Sequence, residues 1–480
     1  MHVQKMRANK GFLNNIIKVS FSNLISLFSG VLVGFLVPKM MGLDGYAYYK
    51  IYTLYLTYIA LLSFGVGDGL YLRFSGTDKD KLNVQQLRHY LHVYYVQLVA
   101  FSAIAFLCAC IFARGEYRFI MIALAMIILP SQITAIHQNL SIITSRFNEY
   151  STRVVTKSIL TSVLVLVLFV LYRLNGSEIA YQIYIIGVVA IDYVLAIWYM
   201  ITYKDINFSK STGKIKYNLK YKDLIYMGFP LLLSNMAGTI FLNLDRQFVS
   251  VLFIHKDYAI YAFAYNLLTL ITTMASAVSI VIFPSLKKIQ NIDVKKEFSK
   301  HFTLFTIIIP LSLLVYFPLC FVVSVFFPKY YLSLEVFRIV LPGIMLSASV
   351  SVVFINYYKI ENRIKTYFAK TVGSILVSAV LNYFVYLVFK SYESISWASI
   401  VALLTWYLLA LSYFVKKYNI TWKKNTCYVL CCMVLFYLIT TIIHNNVVCF
   451  FFFAVVLLLL MFLFYRNEIK HFFQTNKIKG

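Results

Sequence analysis

Charged residues are scarce in this chain of 480 residues. Only 13% of the residues are charged, about half the share of an ordinary soluble domain, and Asp and Glu together number just 18. Apolar residues make up 61% of the chain, and the mean hydropathy is +0.77. A soluble protein of this size cannot hide so much apolar surface, because its own surface must stay solvated. The composition therefore excludes a soluble enzyme, a nucleic-acid-binding domain and a disordered chain.

Sequence patterns for cofactors are also missing. No Gly-rich phosphate loop ending in Lys-Ser or Lys-Thr occurs, which argues against an ATPase. Seven cysteines fall in apolar runs and lack the spacing to histidine that a metal site needs: Cys108, Cys110, Cys320, Cys427, Cys431, Cys432 and Cys449. We therefore expect no metal, no cofactor and no catalytic residue, and we expect that the chain is not an enzyme.

Long apolar runs dominate what is present. A membrane-crossing helix needs about 20 mostly apolar residues. Fourteen such runs occur, at 14–37, 46–66, 90–112, 118–138, 154–172, 180–202, 225–250, 259–284, 302–327, 336–358, 368–389, 394–415, 427–443 and 447–465. These runs are too long and continuous for barrel strands. The sequence thus predicts an all-α integral membrane protein with fourteen transmembrane helices.

The basic residues alternate with these helices. With a cytoplasmic N-terminus, 34 of the 44 Lys and Arg residues fall in cytoplasmic segments and nine in external ones, while Arg246 lies inside a span. This bias follows the positive-inside rule and predicts that both termini are cytoplasmic. All external loops are short and offer little on which to build a catalytic site. Transport is the class of function that remains.

A weak internal repeat divides the chain. Residues 1–203 form a predicted N-terminal lobe of helices 1 to 6, 204–224 a basic cytoplasmic linker, 225–418 a C-terminal lobe of helices 7 to 12, and 419–480 helices 13 and 14 with a cytoplasmic tail. At an offset of 213, three residues match: Asp44 with Asp257, Tyr48 with Tyr261 and Tyr52 with Tyr265. Six helices per repeat make the repeats parallel, and transporters of that plan hold the substrate between the lobes and alternate its access.

Polar residues within spans are costly, so their shared faces are informative. Predicted helix 7 carries a polar stripe at helical spacing, and predicted helix 1 carries a similar one. The two stripes consist of Asn235, Thr239, Asn243, Arg246 and Ser250 on helix 7, and of Lys18, Ser22, Ser26 and Ser29 on helix 1. They form either two walls of one hydrophilic cavity or, for the serines, contacts of close helix packing.

Two carboxylates lie within predicted spans. Asp192 lies among apolar residues of helix 6 without an obvious local cation, which makes it a candidate proton or sodium site. The alternative is a structural pair with a base from a neighbouring helix. Asp245 and Arg246 are adjacent on helix 7 and point about 100° apart, so each needs another partner. We expect ion coupling at Asp192 and Asp245.

Tyrosines divide by depth in the predicted helices. Tyr46, Tyr48 and Tyr49 are expected in the aromatic belt at the membrane interface. Tyr52, Tyr55 and Tyr265 lie deeper, where a phenol can stack on a sugar and bond its hydroxyls, or simply pack. His137 and Gln138 at the end of helix 4 are expected at the interface.

Two stretches resemble a known family. The first is residues 64–76, Phe-Gly-Val-Gly-Asp-Gly-Leu-Tyr-Leu-Arg-Phe-Ser-Gly, which is similar to a Gly-Asp-Gly-Leu plus Arg pattern. The second is Leu244 to Val249, followed by Tyr258 to Tyr261. It is similar to an Asp-Arg element and to the start of the helix that follows it. The second pattern usually has a Gly before the Tyr at the start of that helix, and this chain lacks it. The chain as a whole resembles the polysaccharide transporters, which flip O-antigen, capsule and exopolysaccharide repeat units. They share a superfamily with the multidrug and toxin extrusion exporters and the peptidoglycan lipid flippase.

The resemblance implies a flippase for undecaprenyl-diphosphate-linked oligosaccharides in the bacterial cytoplasmic membrane, with a polysaccharide polymerase and assembly proteins as partners. The diphosphate needs cations, for which Lys18, Arg73 and Arg246 are candidates, although Lys18 and Arg73 are equally explained as topology charges. With Ser22, Ser26, Tyr52, Asn235, Thr239 and Asn243, these form the predicted substrate-binding set. The alternatives are a cation-coupled multidrug exporter of the same fold and a membrane-embedded polymerase or glycosyltransferase.

Overall fold

The computed structural model describes residues 2–74, 83–208, 220–287, 293–420 and 422–477, with side chains from Lys18 onward except 274–287, 467 and 469–477. Within these ranges the chain is 91% helix and contains no strand, which confirms the predicted all-α class. It forms two compact units, residues 1–236 and 237–480. The division lies within one long helix, C-terminal to the linker predicted at 204–224.

Unit 1 contains eight helices in its described part and the start of a ninth. They are α1 (His2–Met40), α2 (Leu43–Leu56), α3 (Val66–Phe74), α4 (Val84–Phe112), α5 (Gly115–Ile143), α6 (Phe147–Asn175), α7 (Tyr181–Thr202), α8 (Lys204–Asn207) and α9 (Tyr221–Leu252), which continues into unit 2. The chain signals several of these boundaries locally. Asn83 caps α4 by accepting a hydrogen bond from the Gln86 amide at 3.1 Å, and Gly176 ends α6 with a positive φ of 65°.

Unit 2 contains ten further helices in its described part. They are α10 (His255–Lys287), α11 (Val294–Ile308), α12 (Tyr316–Phe326), α13 (Ser333–Val340), α14 (Gly343–Ala348), α15 (Ile355–Ile360), α16 (Ile364–Phe389), α17 (Tyr392–Tyr418), α18 (Lys423–Ile442) and α19 (Asn446–Lys477). A 3₁₀ segment at Ile309–Val315 joins α11 to α12, and a π-helical segment at Ser349–Phe354 joins α14 to α15.

Twelve helices of the described residues are long and apolar enough to cross a membrane. A thirteenth span is added if the bent pair Leu43–Ser63 and Val66–Phe74 counts as one, and this pair corresponds to the run predicted at 46–66. The run predicted at 259–284 lies in α10, whose side chains beyond residue 273 are outside the described part. The chain is thus a multi-pass helical membrane protein, and the count of fourteen spans stays a prediction.

The second span is broken, which the apolar run alone does not predict. After α2 a 3₁₀ turn at Ile59–Ser63 leads to α3, and the two parts are bent by 54°. Phe64 and Gly65 both have positive φ, 47° and 77°. Glycine adopts a positive φ without strain, so Gly65 eases the bend, while Phe64 takes the left-handed conformation at the end of the 3₁₀ turn.

Small residues bring helices of unit 1 into close contact. Ser29 on α1 donates a hydrogen bond to the Ser158 carbonyl on α6 at 3.0 Å, and Ser162 donates to the Ser29 hydroxyl at 2.9 Å. This is the interhelical serine contact typical of membrane bundles. It supports the packing alternative for Ser29 within the predicted helix 1 stripe.

Candidate functional site

A polar cavity of about 530 Å³ lies within unit 1. Side chains of α1, α2, α5, α6 and α7 line it. The polar ones are Asn23, Ser26, Ser29, Tyr49, Tyr52, Thr53, Thr134, Gln138, Tyr150, Arg153, Lys157, Ser158, Thr161, Tyr184 and Asp192. In a bundle of apolar helices this concentration of hydroxyl, amide and charged groups makes the cavity the main candidate site of the first unit.

An ion pair in the lining of this cavity joins α6 to α7. The Lys157 ammonium donates to Asp192 Oδ1 at 2.5 Å. Asp192 is therefore not a lone carboxylate, while ion coupling at this residue stays a prediction. The alternative pairing with a base from a neighbouring helix is what the structure contains. The Lys157 side chain is 45% exposed and that of Asp192 only 4%, so the cation is the accessible member of the pair.

Arg153 lies one turn before Lys157 on α6 and lines the same cavity. Its guanidinium donates through Nη1 to Glu149 and through Nη2 to Thr202 Oγ1 at 2.5 Å, and it stacks on the Trp198 ring at 4.1 Å, while its buried Nε has no partner among the described residues. The side chain is only 5% exposed. The positive-inside pattern places both Arg153 and Lys157 among the cytoplasmic topology charges, and it therefore misses that both side chains line the cavity. The available signal was their four-residue spacing at the start of an apolar run.

Tyrosines of α2 and α7 form an inner wall of the cavity. Tyr49 and Tyr184 pack edge to face with centroids 5.2 Å apart, and Tyr49 is buried. Tyr46 is buried as well, so the expectation that these residues belong to the interfacial belt was wrong for Tyr46 and Tyr49. Tyrosines occur on several faces of α2, so the sequence does not show which face packs inward.

Two hydroxyls of the cavity lining lack partners in the described structure. The Tyr52 hydroxyl and Thr134 Oγ1 are both buried and make no hydrogen bond to a described residue. Tyr52 also lies close enough to Asp192 to interact with its charge. A buried hydroxyl without a partner costs about 1–3 kcal/mol, so these groups favour a hydrogen-bonding molecule in the cavity. Tyr52 belongs to the predicted substrate-binding set.

The predicted serine stripe of α1 separates into different environments. Ser26 is exposed and lines the cavity, whereas Ser22 is buried and donates to the Val19 carbonyl of its own helix at 2.8 Å. The Lys18 ammonium donates to Asn148 Oδ1 at 2.8 Å. Of these three residues, only Ser26 is in the lining of the cavity.

A buried carboxylate forms the second polar centre, in unit 2. Asp245 on α9 accepts hydrogen bonds from the Tyr261 hydroxyl at 2.8 Å, from the Tyr265 hydroxyl and from Ser399 Oγ at 3.1 Å. It borders a small cavity of about 40 Å³ that Ser347 also lines. A space of this size holds a water molecule or a small cation. Asp245 and Tyr261 belong to the two parts of the second family-like stretch, and the fold brings these parts together.

The helix 7 stripe lies on α9 in mixed environments. Asn243 donates to the Thr239 carbonyl at 2.9 Å, Ser250 to the Gln247 carbonyl at 2.9 Å, and Arg246 Nη2 to the Leu242 carbonyl at 2.8 Å. These bonds return to the backbone of their own helix, as expected of polar side chains that pack in a bundle. The Arg246 guanidinium also lies 4.7 Å from the centroid of the Tyr265 ring. Asn235, earlier on the helix, is exposed.

The first family-like stretch has a packing role. A Cβ on Gly65 would lie 2.5 Å from the Gly228 carbonyl carbon and the Phe229 nitrogen, because α9 begins directly against the bend of the second span. Phe64 stacks on Phe229 with centroids 6.2 Å apart. The glycines of this stretch therefore permit a backbone-to-backbone contact. Arg73 follows at the exposed end of α3.

A third polar cluster surrounds His137 in unit 1. The ring is fully buried and donates through Nδ1 to the Ile133 carbonyl at 2.7 Å, while Nε2 accepts from the Asn207 amide at 3.1 Å. It stacks on Tyr95 and Tyr199. The cluster holds α8 against α5, and the expectation that His137 lies at the membrane interface stays a prediction.

Solved membrane proteins share this fold at low sequence identity. The chain is similar to the lipid II flippase MurJ in an inward closed conformation, with a TM-score of 0.65 and 16% identity over 95% of this chain and 100% of that one. It is similar to an outward-facing multidrug resistance MATE family transporter of the MOP superfamily, with a TM-score of 0.52 and 14% identity over 84% and 96%.

A MOP superfamily transporter from Pyrococcus furiosus is similar to the same degree, with a TM-score of 0.52 and 15% identity over 85% of this chain and 96% of that one. No protein-family model and no curated protein matches the sequence. At these identities the likeness shows a shared fold, which is the fold of MOP-type transporters.

Proposed function

We propose that this protein is a flippase that moves undecaprenyl-diphosphate-linked oligosaccharide repeat units across the bacterial cytoplasmic membrane by alternating access, for O-antigen, capsule or exopolysaccharide synthesis. The observation that carries the proposal is the polar cavity of unit 1. A glycan head group carries many hydroxyls, and each costs several kcal/mol to bury in hydrocarbon without a partner. A cavity of about 530 Å³, within the usual range for ligand sites of about 300–1,000 Å³, offers such partners.

The lining favours a sugar over an apolar compound. Tyrosine rings stack on the apolar face of a sugar, and hydroxyl and amide groups bond its edge. Tyr52 and Thr134 line the cavity with enclosed hydroxyls that have no hydrogen-bond partner among the described residues. The similar fold of a protein described as a lipid II flippase agrees with a lipid-linked substrate for this chain.

The charge of the cavity argues against a cation-coupled multidrug exporter. An exporter of cationic compounds needs acidic groups that the compound can reach. Here Lys157 and Asp192 both line the cavity, but the Lys157 side chain is 45% exposed and that of Asp192 only 4%. The diphosphate needs cations, and we propose Lys157 for this role beside the predicted Lys18, Arg73 and Arg246. Proton or sodium coupling through Asp192 or Asp245 is part of the proposal.

Deletion of the gene in its native host tests the proposal. We expect complete lipid-linked repeat units to accumulate and the surface polymer to disappear, as measured by mass spectrometry of lipid-linked glycans and by staining of the surface. Complementation by the wild-type chain restores both. A normal surface with a normal lipid pool contradicts the proposal and favours the exporter. Loss of polymer with only truncated lipid-linked sugars points instead to an enzyme of assembly.

A further inference from the structure

The Lys157–Asp192 pair has an uneven geometry. Both side chains line the cavity, but nearly half of the Lys157 side chain is exposed, whereas that of Asp192 is almost fully buried. The second cation of the lining, Arg153, is already bound by Glu149 and Thr202. An anion that enters the cavity therefore meets Lys157 first, and it competes with Asp192 for the same ammonium.

Capture of Lys157 by an incoming anion leaves Asp192 without its cation. A buried carboxylate without a partner is strongly disfavoured, and such a group neutralises itself by taking up a proton. The charge balance then closes. Before binding, the site holds one ammonium and one carboxylate; afterwards it holds the ammonium, the bound anion and a neutral carboxylic acid. The proton comes from the aqueous phase and adds to the Asp192 carboxylate, and no bond of the anion breaks.

We propose that Lys157 and Asp192 form an exchange site, in which one anionic group of the substrate replaces Asp192 on Lys157 and one proton binds Asp192. This inference rests on the proposed function and adds its coupling chemistry. The anion is a phosphate or carboxylate, supplied either by the lipid diphosphate or by an acidic sugar. The substrate and a proton then occupy unit 1 together. With a singly charged group the loaded site is as neutral as the empty one, whereas a lipid-linked diphosphate brings one further negative charge.

Among the described residues around the pair, Glu149 is the second carboxylate and is paired with Arg153, so the comparison with Asp192→Asn assigns the proton to one of the two. Phenols ionise only at strongly alkaline pH, and arginine stays protonated throughout. The side chains of α1 and α5 in the lining carry no ionisable group, since His137 of α5 bonds Asn207 outside the cavity. The remaining ionisable neighbours are Tyr49 and Tyr52 of α2, Tyr150, Glu149 and Arg153 of α6, and Tyr184 of α7.

Proton uptake on anion binding tests the inference. The full-length protein in nanodiscs is titrated with digalacturonic acid, with undecaprenyl diphosphate or with maltose, which is uncharged. Isothermal titration calorimetry in two buffers of different ionisation heat, at one pH, gives the number of protons taken up. Because a diphosphate titrates near neutrality itself, uptake is taken as the difference between the wild-type chain and Asp192→Asn.

We expect about one proton per bound anion in the wild-type chain and a dissociation constant that falls about tenfold per pH unit on acidification. Asp192→Asn takes up no proton beyond the share that the ligand itself binds, and it binds the anion more tightly at alkaline pH. Lys157→Gln loses the preference for the anions over maltose, and Lys157→Arg retains it. The control Asp205→Asn, an exposed carboxylate outside the cavity, behaves as wild type. The probe that elicits uptake identifies the source of the anion.

Three results overturn the inference: neither anion binds the wild-type chain, an anion binds without proton uptake, or Asp192→Asn takes up the same proton. Failure of this inference can be distinguished from failure of the proposed function. If wild type and Asp192→Asn both restore surface polymer to the deletion strain while no proton uptake occurs, flipping stands and the exchange site falls. If proton-linked binding occurs but the deletion leaves lipid-linked glycans unchanged, the exchange site stands and flipping falls.

Discussion

The contact between the bend of the second span and the start of α9 makes a strong prediction. A Cβ added to Gly228 would collide with backbone atoms of Gly65 and Gly69, and it would lie 2.9 Å from the Gly65 carbonyl carbon. Backbone atoms cannot rotate away as a side chain does. Overpacking of this kind costs about 1–3 kcal/mol. We therefore expect Gly228→Ala to lower the free energy of unfolding by about that amount.

A second helical glycine provides the matched control. Gly373 lies in α16, and no atom of the described residues outside its own helical backbone lies within 4 Å of the position that its Cβ would occupy. Alanine is favoured over glycine in a helix by up to about 1 kcal/mol, so Gly373→Ala is expected to be neutral or stabilising. Thermal unfolding of both purified variants in the same detergent measures the difference. The two midpoints should move in opposite directions, or only that of Gly228→Ala should fall. An unchanged or raised midpoint for Gly228→Ala would refute the backbone contact.

Three further substitutions test the polar centres. Lys157→Gln leaves a buried carboxylate uncompensated and should destabilise the fold by up to about 3–5 kcal/mol. The double variant with Asp192→Asn should recover most of this loss in thermal unfolding. Strictly additive losses of the two single variants would contradict the pairing. Asp245→Asn disturbs a carboxylate that accepts hydrogen bonds from two phenols, and it should lower the free energy of unfolding by about 1–3 kcal/mol. An unchanged midpoint of thermal unfolding would contradict this hydrogen-bond network. Asn207→Ala removes the amide that bonds His137, so amide hydrogens of residues 204–208 should exchange faster, and unchanged exchange would show that the cluster does not hold α8.

The helices could be predicted because each is a long apolar run, and hydropathy alone identifies such runs. The break within the second span could not, since it depends on a left-handed backbone at Phe64 and Gly65 and on the α9 backbone that packs there. The glycines of the family-like stretch marked the place without revealing the reason. The reason is the close approach of the Gly228 backbone, which lies more than 150 residues later in the sequence.

The sequence indicated which polar residues lie within the spans, but it did not indicate which residues they contact. The cost of a charge in a span singled out Asp192 and Asp245, and both are buried and hydrogen-bonded. Their partners lie on other helices, and the sequence does not specify which helices meet. Lys157 was assigned to a cytoplasmic segment from its charge, because the positive-inside rule sorts residues by loop and ignores the reach of a long side chain.

Flipping itself is the central claim, and reconstitution measures it most directly. Purified protein is placed in liposomes that carry the lipid-linked repeat unit of the native host in both leaflets, and an external glycosidase removes the glycan that it can reach. We predict that the enzyme digests nearly all of the glycan in liposomes with the protein, and only the outer-leaflet share in liposomes without it. If digestion stops at the outer-leaflet share in both, while a cationic dye is exported from the same protein-containing liposomes, the chain is a drug exporter and flipping of lipid-linked glycans is contradicted.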